Sequence, residues 1–82
     1  MERSAFEKAP LKEKVYITLE QGKVVSNRQF LYYTIKLYSL SDYFAEVWYV
    51  PSSNKIDKVE TLSIDEVLHV YRNDFDISSL LK

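Results

Sequence analysis

One carboxylate stands in the middle of an aromatic segment, and it is the residue whose surroundings most suggest chemistry. Residues 43–50 read YFAEVWYV, in which Glu46 is the one charged residue. Two carboxylates in such surroundings could do general acid–base work, but this segment supplies a single one. We therefore expect Glu46 to form a cross-strand ion pair with Lys36 and not to act in catalysis.

The single histidine, His69, lies four residues after Asp65 and three after Glu66. An imidazole oriented by a carboxylate can act as a general base, but the sequence places no serine or cysteine nucleophile beside this one. One histidine also does not make a metal site. We interpret His69 as a solvated residue on the polar side of a helix.

Two further acids, in the segment Asp74-Phe75-Asp76, resemble part of a calcium loop. The other ligands and the central glycine of an EF-hand are missing, so turn formation and helix capping explain these residues better. The sequence thus predicts no catalytic residue, no cofactor and no metal site, and an enzyme ranks third among the functions considered.

Composition narrows the classes of partner. The chain has 82 residues, a net charge of -1 and no cysteine. A general nucleic-acid binder depends on clustered Lys and Arg, so we predict no nucleic acid as partner. No apolar run approaches the ~18 residues of a membrane span, so we predict no membrane association. The absence of cysteine suits a reducing cytoplasm, which is the predicted location.

Hydrophobic periodicity predicts the strands and helices on which these residues lie. Alternating β-branched residues predict a first strand over Lys14–Glu20, followed by a Gln21-Gly22 turn. Val24 and Val25 could extend a return strand, which Ser26-Asn27-Arg28 would then interrupt. Further strands are predicted, with turns at Ser41-Asp42 and around a left-handed Asn54, over Gln29–Leu40, Tyr43–Val50 and Lys55–Leu62, the last as a lysine-bearing sheet edge.

A helical period replaces the strand pattern after Leu62. Ser63 followed by Glu66 forms a capping box, and an apolar face repeats at helical spacing through Ile64, Val67, Leu68 and Tyr71. The predicted fold class is α+β: an antiparallel sheet of three to four strands with one C-terminal helix packed on one face. Residues 1–12 are predicted to form a loosely ordered arm, and residues 13–82 a single domain.

The pairing of the two central strands decides which face Glu46 occupies. One register sets Lys36 opposite Glu46 and leaves the helix-covered face free of charge. The alternative register places Glu46 beside Leu37 and Ile35. Since a buried carboxylate without a partner costs several kcal/mol, we predict the first register.

That register gathers aromatic side chains around a Lys–Glu pair on the face opposite the helix. Monomeric proteins rarely leave such a surface in water, so we expect it to be covered. The predicted interaction surface comprises Phe30, Tyr32, Lys36, Tyr38, Phe44, Glu46 and Trp48. The leading hypothesis is a non-enzymatic protein-interaction domain whose partner is a second copy or another protein. The alternative is a small-ligand-binding domain with Trp48 and the tyrosines as pocket wall.

A longer pattern adds a resemblance. The run LYSLSDYFAEVWYVPSSNKIDKVE is followed by a capped helix and DISSLL. It contains the strand Glu46-Val47-Trp48-Tyr49, the turn Asn54-Lys55-Ile56, and the closing residues Ile77 and Leu80-Leu81. This arrangement resembles small uncharacterised bacterial single-domain proteins with an E-V-W-Y strand and an N-K-I turn, and it covers the later part of the chain. The resemblance implies a stand-alone cytoplasmic domain and no particular activity.

Overall fold

The computed structural model describes residues 1–72 and shows an α+β fold, in which one antiparallel sheet is accompanied by helices at both ends of this range. The strands follow one another in the sheet in the order β1-β2-β3-β4. The elements are α1 (Arg3–Lys8), α2 (Leu11–Gln21), β1 (Lys23–Phe30), β2 (Tyr33–Ser39), β3 (Phe44–Val50), β4 (Lys55–Leu62) and α3 (Ile64–Val70). The turn and closing contacts predicted for Asn73, Asp74, Asp76, Ile77, Leu80 and Leu81 lie outside the described residues.

The N-terminal segment differs from its prediction. The residues expected to form a loose arm contain α1, whose Phe6 is fully buried, and the boundary predicted after residue 12 falls inside α2. The predicted strand over Lys14–Glu20 is wrong, because this segment belongs to α2. Ile17 and Thr18 are its buried residues, and the Thr18 hydroxyl donates to the Lys14 carbonyl at 2.7 Å. Burial of one helical stripe outweighs the β propensity of this run.

Gly22 ends α2 and starts the path into the sheet. Its N–H donates to the Thr18 carbonyl at 2.9 Å. A Cβ at this position would lie 2.5 Å from the same carbonyl oxygen and 3.1 Å from Cβ of Tyr38. The Thr18 carbonyl at the end of α2 therefore requires glycine here, for steric reasons and not for a positive φ, and Tyr38 of β2 is a second close neighbour.

The first hairpin also differs from its prediction. β1 runs through Ser26–Arg28, where an interruption was predicted, and a bulge between Val24 and Ser26 shifts its register. The single strand predicted over Gln29–Leu40 is instead divided by a turn at residues 31–32. The turn was missed because it contains none of the Gly, Asn, Asp or Pro residues that usually mark one.

The second half of the described chain follows the sequence closely. β4 has the predicted bounds and lies at a sheet edge, and Asn54 adopts the predicted left-handed conformation with φ 56°. The Ser63–Glu66 capping box is present, with both reciprocal hydrogen bonds formed at 2.9 and 3.2 Å. Of the predicted apolar face of α3, Val67 and Tyr71 are buried, whereas Ile64 is 51 % exposed.

The predicted register of the central strands is wrong. Leu37 lies opposite Glu46, and Lys36 lies opposite Val47. The alternative register is adopted because Glu46 is not without partners: Arg28 and Tyr71 both reach its carboxylate. Glu46 therefore shares a sheet face with apolar residues, and the cost on which the prediction depended does not arise.

Each face of the sheet carries its own core. On the first, termed the Glu46 face, Leu37 and Leu62 pack with Val67 and Tyr71. On the second, termed the Val47 face, the N-terminal residues Phe6 and Ile17 join a larger apolar cluster with Tyr38, Tyr43, Ala45, Val47 and Val59. Side chains alternate along each strand, so neighbouring residues such as Glu46 and Val47 belong to different cores.

Candidate interaction site at the first hairpin

The buried carboxylate of Glu46 is held by two residues that are distant in sequence. Arg28 Nε donates to Oε2 at 3.0 Å, and Arg28 Nη2 donates to Oε1 at 3.4 Å. The Tyr71 hydroxyl also donates to Oε2. Such a two-pronged arginine contact is among the stronger charge-assisted arrangements in proteins. Glu46, 2 % exposed, is therefore a paired core residue and not an accessible acid or base.

The ionisation of both partners fits this arrangement. Burial acts to lower the pKa of Arg28, but hydrogen bonds to Glu46 and Tyr71 outweigh it and raise the pKa overall. Burial raises the pKa of Tyr71, and its hydrogen bond to Glu46 raises it further. At neutral pH Arg28 is therefore charged and Tyr71 neutral, and both donate hydrogen bonds to Glu46.

Trp48, which was predicted to lie on an interaction surface covered by a partner or by the chain's termini, is buried by its own sheet neighbours. Its exposed fraction is 8 %, and Lys58 Nζ lies 4.1 Å from its ring centroid. The ring centroids of Phe30 and Tyr33 lie 6.1 and 5.0 Å from that of Trp48, with the rings edge-on to it. Arg28 Cζ lies 5.4 Å from the Trp48 ring centroid. Trp48 therefore serves as the platform on which the end of the first hairpin is packed.

The structure does not bring the seven residues of the predicted interaction surface together on one face. Phe30, Phe44, Glu46 and Trp48 belong to the Glu46 face, whereas Lys36 and Tyr38 belong to the Val47 face. Tyr32 lies in the turn between β1 and β2. Substantial exposure remains at Phe30, Tyr32 and Lys36.

The most exposed apolar surface of the hairpin lies at its end. Phe30, Leu31 and Tyr32, termed here the hairpin tip, are 48 %, 77 % and 64 % exposed. Leu31 has φ 55°, in the left-handed region that favours glycine. For a residue with a Cβ, this conformation costs roughly 1–2 kcal/mol. The tip therefore combines backbone strain with three large side chains that face water.

The turn of the second hairpin, between β3 and β4, has the same left-handed backbone conformation at a different residue type. Asn54 has nearly the same φ, 56°, and asparagine tolerates it. Its side-chain oxygen also accepts a hydrogen bond from the Tyr49 hydroxyl. Leucine at position 31 gains neither of these advantages. A strained residue of the wrong type for its turn, and exposed, is a recognised indicator of a functional position.

The base of the hairpin tip is fixed by neighbouring contacts. The Tyr32 and Tyr33 rings stack with centroids 4.8 Å apart, and the Tyr33 hydroxyl donates to Asp57 Oδ2 at 2.6 Å. That hydrogen bond is the main cause that raises the pKa of Tyr33. A tip held in one conformation loses less entropy when it binds, which favours affinity.

One run of apolar residues in the sequence could have indicated this site. Phe30-Leu31-Tyr32-Tyr33 is a run of four apolar or aromatic residues that breaks strand alternation. Such a run fits a strand buried on both faces as well as an exposed turn, and periodicity alone does not separate the two.

Comparison with protein-family models, curated proteins and solved structures finds no match to this chain. Within residues 1–72, no helix has the length and apolar character that crossing a membrane requires.

Proposed function

We propose that this protein is a non-enzymatic interaction domain that self-associates through its hairpin tip. The observation that carries the proposal is Leu31, which is left-handed, 77 % exposed and located in a turn whose counterpart uses asparagine. Retaining leucine there lowers the stability of the isolated chain. An exposed apolar side chain at this position becomes favourable when a binding partner covers it.

The magnitudes support this interpretation. Burial of apolar surface contributes about 25 cal/mol per Å², so covering roughly 80 Å² offsets a strain of about 2 kcal/mol. The three tip side chains offer roughly 300–400 Å², from their exposed fractions and the size of aromatic side chains. The surface available therefore exceeds what is needed to compensate the strain.

The ligand-binding alternative loses the feature on which it was built. It depended on Trp48 as pocket wall, and Trp48 is 8 % exposed beneath Phe30, Tyr33 and Lys58. Protein association through the tip does not need Trp48 to be accessible, since Trp48 supports the tip from below.

The test is the substitution Leu31→Asn. It should raise the free energy of unfolding by about 1 kcal/mol, because asparagine tolerates the left-handed conformation. It should also weaken self-association by about tenfold or more, a loss of about 1.4 kcal/mol, because a central apolar contact is removed. Chemical denaturation gives the first quantity, and light scattering over a concentration series gives the second.

Two control variants test whether the gain in stability and the loss of association both come from position 31. Asn54→Leu should destabilise the fold and leave association unchanged, since it places the same strain in the second hairpin. Tyr16→Gln removes an aromatic side chain that is 66 % exposed on α2, and association should persist. A wild-type mass of one chain at every concentration, or full association of Leu31→Asn, would contradict the proposal.

A further inference from the structure

The two edges of the sheet differ in how they are protected against pairing with another strand. β4 carries four charged residues among its eight, and a bulge at Asp57 shifts its register against β3. α1, α2 and α3 all pack against this strand, and Arg3 Nη2 donates to the Thr61 backbone carbonyl at 3.5 Å. Charged side chains, bulges and covering helices are the devices with which proteins block an edge strand, so the β4 edge is closed.

β1 forms the opposite edge, and it has little of this protection within the described part of the chain. Its two charged residues are Lys23, at its first position, and Arg28, whose guanidinium donates to the buried Glu46. None of the three helices packs against β1 to the extent that it packs against β4. A bulge lies near the start of the strand, between Val24 and Ser26, and the remainder is regularly paired. β1 is therefore the open edge of the sheet.

The backbone of β1 can accept another strand at Asn27 and Gln29. The two-residue turn of the first hairpin makes Phe30 and Tyr33 a hydrogen-bonded pair, and hydrogen-bonded pairs alternate along an antiparallel ladder. Asn27 and Gln29 therefore direct their backbone N–H and C=O groups away from β2, and both side chains are exposed. A strand that runs along this edge would satisfy these groups.

The exposed apolar residues of β1 lie at its two ends. Phe30 belongs to the hairpin tip at one end, and Val24 and Val25, which are 61 % and 40 % exposed, lie at the other. Two β1 strands that pair antiparallel run in opposite directions, so each hairpin tip lies beside Val24 and Val25 of the second copy. A tip-to-tip contact would leave the valines in water.

We infer that two copies of this chain associate by antiparallel pairing of their β1 strands, which joins two four-stranded sheets into one. The inference rests on the proposed self-association and names the surface that completes it. Two hairpin tips offer roughly 600–800 Å² of apolar surface. With the valines and the paired edges, the total reaches the roughly 1,000 Å² that a specific interface needs.

The side chains of β1 favour one register of this pairing. With Asn27 on the two-fold axis, the outward backbone groups of Asn27 meet those of the second copy, and Arg28 lies opposite Ser26. With Arg28 on the axis, two guanidinium groups would lie opposite each other, and like charges in that position are destabilising. The inferred dimer therefore has Asn27 at its centre.

The main test removes one outward-facing backbone N–H. Asn27→Pro deletes this donor, and proline is tolerated on an edge strand where the N–H faces solvent. Asn27→Ala keeps the N–H and is the matched control. Light scattering over a concentration series should show a dissociation constant raised about tenfold or more for Asn27→Pro, and about twofold at most for Asn27→Ala.

Two further variants test the edge without proline. Asn27→Lys places two lysines opposite each other and should weaken the dimer about tenfold, less so as salt is added. Val24→Asn removes an apolar side chain beside the tip and should weaken the dimer about fivefold. Leu19→Asn, at a residue that is 57 % exposed on α2, is the control and should associate as wild type. If circular dichroism shows that proline disrupts the sheet, Asn27→Lys decides.

A cross-linking experiment tests the register. The chain contains no cysteine, so Asn27→Cys introduces a single thiol at the inferred two-fold axis. With oxidised glutathione as oxidant, Asn27→Cys should form a disulfide-linked dimer about tenfold faster than Tyr16→Cys, because residues opposite each other in a strand pair have Cα atoms about 5.5 Å apart. Tyr16 is a suitable control because its side chain is 66 % exposed on α2.

The outcomes separate this inference from the proposed function. If Leu31→Asn loses association while Asn27→Pro and Asn27→Lys keep wild-type affinity, the tip acts through another contact and the inference is overturned. Equal cross-linking rates for Asn27→Cys and Tyr16→Cys would also overturn it. Wild-type masses above two chains would do the same, since pairing of the two β1 edges is closed. A wild type that remains a single chain would overturn both the inference and the proposed self-association.

Discussion

The two faces of the sheet build their cores from different materials. The Glu46 face buries a carboxylate, held by an arginine 18 residues and a tyrosine 25 residues away in sequence. The Val47 face is packed from apolar side chains, with Phe6 fully buried against it. A small core can therefore hold a charge when distant elements of the chain supply its hydrogen bonds.

The largest effect is expected on the apolar face. Phe6→Ala should lower the free energy of unfolding by about 3–5 kcal/mol, because a fully buried ring leaves a cavity next to Tyr43, whose ring centroid lies 5.6 Å away. Denaturant titration measures it. Leu11→Ala, at a residue that is 39 % exposed, is the control and should cost far less. A loss below 1 kcal/mol for Phe6→Ala would show that α1 contributes little to this core.

On the Glu46 face, Arg28→Met should cost about 3 kcal/mol, because it leaves the Glu46 carboxylate buried without its cation. Arg3→Met is the control, since the side chains of Arg3 and its ion-pair partner Glu66 are 37 % and 54 % exposed. Exposed pairs contribute about 0–1 kcal/mol. Equal effects of the two substitutions would remove the distinction drawn between the faces.

The Arg28–Glu46–Tyr71 network predicts that the stability losses of two substitutions do not add. Arg28→Met combined with Glu46→Leu should be more stable than Arg28→Met alone by about 1–2 kcal/mol, because no unpaired charge is left in the core. Denaturant titration of all four members of the cycle measures the coupling. Simple addition of the two single losses would indicate that the charges do not interact in the folded chain.

A smaller effect is expected from the tyrosine that completes the network. Tyr71→Phe should cost about 1–2 kcal/mol at neutral pH, through the lost hydrogen bond to a charged acceptor. The pKa of Tyr71 is raised in the folded chain above its ordinary value of 10.0. Its contribution is therefore complete below pH 10.0 and is lost as the pH rises toward the folded value. Over a range of roughly pH 9 to 11, the free energy of unfolding should fall less steeply for Tyr71→Phe than for wild type.

The smallest effect is expected at the cap of α3, which lies at the surface. The Ser63 backbone N–H, followed by the Ser63 side chain, lowers the pKa of Glu66 below its ordinary value of 4.5. This contribution is present above pH 4.5 and disappears as the pH falls through the folded value. Glu66→Gln should therefore flatten the acid limb of the stability profile measured by denaturant titration. An unchanged acid limb would indicate that the cap contributes nothing measurable.

Local patterns predicted the parts of the fold that local physics controls. The bounds of β4, the left-handed Asn54 and the Ser63–Glu66 cap were all predicted from neighbouring residues, and all are present. The strand prediction for Lys14–Glu20 was wrong because the β-branched alternation of this segment competes with helical burial of Ile17 and Thr18. That burial depends on the sheet beneath the helix. The hairpin tip was missed because its turn uses leucine where a local rule expects glycine or asparagine.

The antiparallel α+β class, the second hairpin and the capped helix that follows it could be predicted from local sequence, because turn chemistry and capping act within a few residues. Tertiary structure alone decided the register of β2 and β3, because the choice depends on whether Glu46 has partners. Those partners, Arg28 and Tyr71, come from elements brought together only by folding. Folding also buries Trp48 against Phe30 and Tyr33 and leaves Leu31 exposed at the hairpin tip.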